Sequence, residues 1–147
     1  MGKWETGTHV ARSIASSVSI ALALLALSPE SFAQKCDGID TTLTDARRAE
    51  YATLVSKVFG TRVRTQQVEV LRFFGAGNWS AVEAATPVAD IGVFFFNESQ
   101  GRKHFEDVWG GDAEEAEVPM IVKWARKIGA PAQLAQCFAW SQARRTD

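Results

Sequence analysis

The residues that could carry chemistry are few. The chain has two histidines, His9 and His104, and two cysteines, Cys36 and Cys137. His9 falls within an N-terminal stretch that reads as an export leader, so His104 is the one imidazole expected to reach the mature chain. Sites built on two or three histidine ligands are then out of reach. Two thiols without a C-x-x-C spacing, joined by a single imidazole, make a poor zinc set. A Ser-His-Asp hydrolase would have to recruit His104, and no serine stands in the G-x-S-x-G elbow that exposes a nucleophile. The remaining acid–base option uses carboxylates. Asp112, Glu114, Glu115 and Glu117 form the densest acidic cluster, and with Asp107 they follow His104 closely. Residues 107–117 with His104 are therefore the candidate machinery of a small hydrolytic enzyme. The competing explanation is electrostatic, because acidic residues just ahead of Pro119 complement the positive end of a helix dipole. The acidic spacing does not match a D-x-D-x-D-G calcium loop, so no metal is expected. Gly75-x-Gly77 lacks the remaining glycine and the following helix of a dinucleotide fingerprint, and no cofactor is expected.

Aromatic residues carry the other signal. There are nine phenylalanines, five tryptophans and one tyrosine. Phe73-Phe74 and Phe94-Phe95-Phe96 fall in β-branched, aromatic runs where successive side chains point to opposite faces. A sheet covered on one face alone would alternate with polar residues. Either helices cover both faces, or some apolar surface is left for a partner. At least one of Phe73, Phe74, Phe94, Phe95 and Phe96 is expected to stay partly exposed. With His104 on a polar rim nearby, it would contribute to a binding surface for an envelope or extracellular protein or a small apolar ligand.

These residues must be positioned by an alternation of helix, strands and helices. Thr42 or Thr44 can cap a helix over residues 45–59, in which Tyr51, Leu54, Val55 and Val58 recur at helical spacing before Gly60. Residues 68–74 read as a strand, with a glycine-rich turn over 75–78 and a returning strand over 79–86. A turn over 87–90 leads to a third strand at 91–96. After a loop, residues 102–109 read as a fourth strand in preference to a short helix. Pro119 opens a helix with Met120, Ile121, Trp124 and Ile128 along one face, ended by Gly129. Pro131 begins another, with Leu134, Cys137 and Phe138 on one face, and residues from about 142 onward are expected to fray. The expected fold is α+β: an antiparallel meander of three or four strands packed by one N-terminal and two C-terminal helices.

Composition and targeting set the frame around this domain. Sixteen basic against seventeen acidic residues leave a net charge of −1 over 147 residues, which speaks against nucleic-acid binding. Lys3 and Arg12 precede an apolar run over residues 14–27. Pro29 breaks the run, and Ser31 and Ala33 place small residues at a cleavage site. That is the build of a signal peptide over residues 1–33. A permanent membrane anchor needs about 20 apolar residues, and none is expected here. Residues 34–147 would form one domain in a bacterial-type periplasm or outside the cell. In that oxidising setting Cys36 and Cys137 are expected to pair, closing a loop that the chain-entropy argument values at about 4–5 kcal/mol. The expected role is a non-enzymatic exported binding, inhibitor or accessory module.

Overall fold

A computed structural model describes residues 35–144; the expected leader and its cleavage site after Ala33 lie outside these residues. Helix α1 spans Asp45–Phe59. It starts where the Thr44 hydroxyl accepts a hydrogen bond from the Arg47 backbone N–H at 3.2 Å, and it stops at Gly60, whose φ of +63° a side chain would resist. Four strands follow: β1 (Glu69–Ala76), β2 (Trp79–Thr86), β3 (Ala89–Ser99) and β4 (Arg102–Gly110). They form one antiparallel sheet in the order β1-β2-β3-β4. Residues 102–109 thus lie in a strand, paired along β3. The tight β3–β4 hairpin places Gln100 and Gly101 at φ values of +52° and +71°, which a two-residue turn matched to the sheet's twist requires. Helices α2 (Val118–Lys127) and α3 (Ala132–Ala143) complete the α+β domain.

The pleat divides the apolar residues between two layers. Phe73, Val82, Phe94 and Phe96 face α1, which supplies Tyr51, Ala52 and Val55. Phe74, Ala81, Val93 and Phe95 face the opposite way, against Ile121 and Ala125 of α2 and Leu134 and Phe138 of α3. A disulfide joins Cys36 to Cys137 across a sequence separation of 101, tying the segment ahead of α1 to α3. That segment also touches the sheet. Asp40 and Gly75 exchange two backbone hydrogen bonds, of 3.0 and 2.8 Å, at the outer edge of β1.

Two local expectations are corrected. Met120 is 52% exposed and lies off the packing face of α2, where Val118, Ile121 and Ala125 are buried and Trp124 and Ile128 pack beside them. The helix starts one residue before Pro119, and the buried stripe follows from Val118. Gln142 does not fray, because it is buried against the sheet. Its side-chain amide donates to the Glu83 carboxylate at 3.3 Å, and Arg72 pairs with the same carboxylate. A buried carboxylate requires such donors, so Glu83 holds the last turn of α3 in place.

Candidate functional site

All five phenylalanines expected at a binding surface are core residues, between 0% and 5% exposed. Phe73 and Phe96 pack on the Tyr51 ring, with centroids 5.5 and 5.6 Å away. Phe94 meets Phe59 edge-on at 5.9 Å. On the other face Phe95 meets Phe138 at 4.9 Å and Trp124 at 5.5 Å, both nearly perpendicular, while Phe74 lies in the same layer. The expectation that one of these rings stands exposed is not met, because helices cover both faces of the sheet.

His104 is exposed near the start of β4, opposite Asn97. The strand then runs on to Gly110 before Asp112, Glu114, Glu115 and Glu117 are reached, a rise of about 20 Å. His104 and these carboxylates are therefore not brought together. The acids instead serve local structure. The Glu117 carboxylate accepts from the Glu114 N–H at 2.9 Å, capping the short turn Glu115–Glu117 that leads into α2. Asp107 accepts from the neighbouring Val108 N–H at 2.8 Å. Among the described residues no group of histidines, cysteines and carboxylates is arranged to hold a metal ion.

Two openings lie beside α1, on either side of Lys103, and another of about 480 Å³ lies ahead of α2 among Asp112, Ala113, Glu114 and Glu117. One is a polar cleft of about 380 Å³ between the first turns of α1 and the β1–β2 hairpin. Its floor holds Tyr51, whose buried hydroxyl donates to the Ser80 hydroxyl at 2.7 Å. Burial pushes the Tyr51 phenol above its ordinary pKa. On one side Arg47 pairs with Asp40 at 2.6 Å. That hydrogen bond, together with the Thr42 N–H, lowers the Asp40 carboxyl from 3.8 to about 2. On the other side Lys103 lies 2.6 Å from Glu50 and 3.3 Å from Glu98, and the Glu50 contact is the main reason its ammonium pKa is raised. Gly75 at the cleft wall admits the Phe73 ring, which a Cβ there would meet at 2.9 Å.

The second opening is an apolar groove of about 370 Å³ lined by Leu54, Lys57, Val58, Phe96, Lys103 and Phe105. Phe105 is 40% exposed and leans on Phe96, with centroids 5.9 Å apart. Val108 is similarly exposed and lies opposite Phe94, so it shares the face of Phe105. Sequence reasoning passed over Phe105. The available signal was an aromatic ring on a strand otherwise rich in charge, two residues from Lys103 and therefore on the same face.

Neither a protein family, nor a curated protein, nor a solved structure matches this chain.

Proposed function

We propose that this protein is an exported, non-enzymatic binding module that holds its partner at the apolar groove between α1 and β4. The observation that carries this reading is the exposure of Phe105 and Val108 on the α1 side of the outermost strand, beside that groove. The other phenylalanines of the sheet are buried, so an exposed ring in a concave apolar setting marks a contact surface. The adjacent strand edge offers unpaired backbone groups to an extended partner segment, with the groove taking an apolar side chain. Arg102, Lys103, Glu106 and Asp107 charge this edge, and a register shift lies between the pairs Phe95–Asp107 and Phe96–Phe105. Charge and irregularity discourage indiscriminate strand pairing and favour one matched partner. Export is supported by the leader pattern over residues 1–33 and by the Cys36–Cys137 disulfide.

Affinity capture from the native envelope fraction tests the proposal. Wild-type protein whose N-terminus maps to Gln34 should recover a partner that Phe105→Asp loses and His104→Ala retains. Equal recovery by wild type and Phe105→Asp, or intact Met1–Ala33 on the envelope material, overturns it.

A further inference from the structure

The two edges of the sheet are not alike. At β1 the segment ahead of α1 bonds to Gly75 through Asp40, and the Arg48 guanidinium donates to the Val70 carbonyl. Beyond β4 no backbone group pairs with the sheet among the described residues. This open edge carries Phe105 and Val108, 40% and 39% exposed, on the face toward α1.

The charges along β4 also run in order. Arg102 and Lys103 open the strand, and Glu106 and Asp107 follow Phe105. Lys103 is held by Glu50 and Glu98, but Arg102, Glu106 and Asp107 make no ion pair among the described residues. Arg102 and Asp107 lie opposite Ser99 and Phe95 of β3, so they share the face toward α2 and α3. They stand about 13 Å apart along the strand and cannot reach each other. A parallel neighbour of the same sequence would set like charges together, whereas an antiparallel one sets cations against carboxylates.

We infer that β4 pairs antiparallel with β4 of a second copy of this chain, joining two four-stranded sheets into one. The inference rests on the groove reading above and names the occupant of that contact. The register shift leaves Glu106 as the extra residue of β4. Counting past it, two antiparallel registers keep the side chains on their own faces over most of the strand. One sets Asp107 against its own counterpart, a like-charge contact. The other sets Phe105 opposite its counterpart on the twofold axis, beside both grooves. His104 then faces Asp107 of the second copy, and Arg102 lies diagonal to the same carboxylate. The second register covers both exposed rings and supplies the missing cations, so it is the one assigned. A second copy carries the complementary charge order by symmetry.

Sedimentation analysis of the disulfide-bonded mature protein across micromolar concentrations tests the inference. Wild type should form a dimer that dissociates on dilution, and a tagged bait should recover untagged copies of the same chain. Phe105→Asp should be monomeric, because two carboxylates would meet on the axis. Arg102→Glu and Asp107→Arg should each weaken the dimer by roughly tenfold, since each creates its like-charge contact twice. An equimolar mixture of these two variants should recover it. In the mixed pair the unchanged Asp107 and Arg102 meet, and so do the two reversed charges. An interface elsewhere on the molecule would show neither the loss nor the recovery. Monomeric wild type, a dimer indifferent to Phe105→Asp, or no recovery on mixing the folded charge variants overturns the inference. Monomeric wild type that still captures a different envelope protein through Phe105 overturns it while leaving the groove reading intact.

Discussion

On the face packed by α2 and α3, Trp109, Trp124, Phe95 and Phe138 form a continuous aromatic layer, with ring centroids 4.9–6.4 Å apart. Cys137 lies in the same layer and locks it to the segment ahead of α1. On the opposite face a single helix spans the sheet, clamped at both sides by ion pairs: Arg47 with Asp40 near β1, and Glu50 with Lys103 on β4. The contrast follows from widths. Four strands set about 4.8 Å apart present a surface wider than one helix of about 10 Å can cover. Two helices cover the aromatic layer on their face. One helix leaves the polar cleft at its first turns and the apolar groove along β4, both bordered by Lys103. Function is thus expected on the less covered face, where the clamps are charged and solvent reaches them.

Three measurements would break or sharpen this comparison. The largest effect should come from the two-helix face: Phe138→Ala removes a ring that touches Phe95, Trp124 and Trp109, and should cost about 3–5 kcal/mol in denaturant unfolding. Leu54→Ala, at the rim of the groove, should cost far less, and equal losses would erase the distinction between the faces. Next comes the disulfide. Replacing Cys36 and Cys137 together by serine should lower stability by about 2–5 kcal/mol, and the unreduced wild type should contain no alkylatable thiol.

The smallest effect belongs to the charged clamp. Arg47 and the Thr42 N–H hold the Asp40 carboxyl near 2, below its ordinary 3.8. The folded state therefore binds this proton less readily than the unfolded chain. The resulting stabilisation is fully present above 3.8 and is lost as pH falls through about 2. Asp40→Asn should lower stability at neutral pH by less than about 1 kcal/mol, since the pair is partly exposed, and should flatten the acid limb of the stability profile. An unchanged acid limb would remove the clamp from the description of this face.

Much of the architecture is legible in short-range pattern. The span of α1, with Thr44 before it and Gly60 after it, follows from helical spacing and caps that act within a few residues. The bounds of β2 and the strand character of β4 follow from composition and turn chemistry, whereas the loop expected over residues 97–101 shrinks to a turn at Gln100-Gly101, with Asn97, Glu98 and Ser99 paired to β4. With two cysteines there was one intramolecular pairing to make, and it is made. The aromatic doublet and triplet correctly implied apolar residues on both faces of the sheet.

What lay beyond the sequence was coverage. Phe73, Phe74, Phe94, Phe95 and Phe96 are buried while Phe105 is exposed, and the charge around Phe105 is the one local sign of its different fate. The difference arises from where three helices land on four strands. Gln142 looked like a tail residue, but its order depends on Glu83, far away in sequence, whose buried carboxylate needs a donor. His104 and the acidic stretch are close along the chain, but an extended strand carries them apart. The cleft arises the other way, from Asp40 ahead of α1, Arg47 and Glu50 on α1, Glu98 on β3 and Lys103 on β4, which share no motif. The sequence by itself determined the helices, the meander, the turns and the pairing of the cysteines, because those obey periodicity and backbone chemistry over a few residues. Only the tertiary structure decided which apolar side chains are covered and which charges meet, because both depend on the width, number and placement of elements brought together across the whole chain.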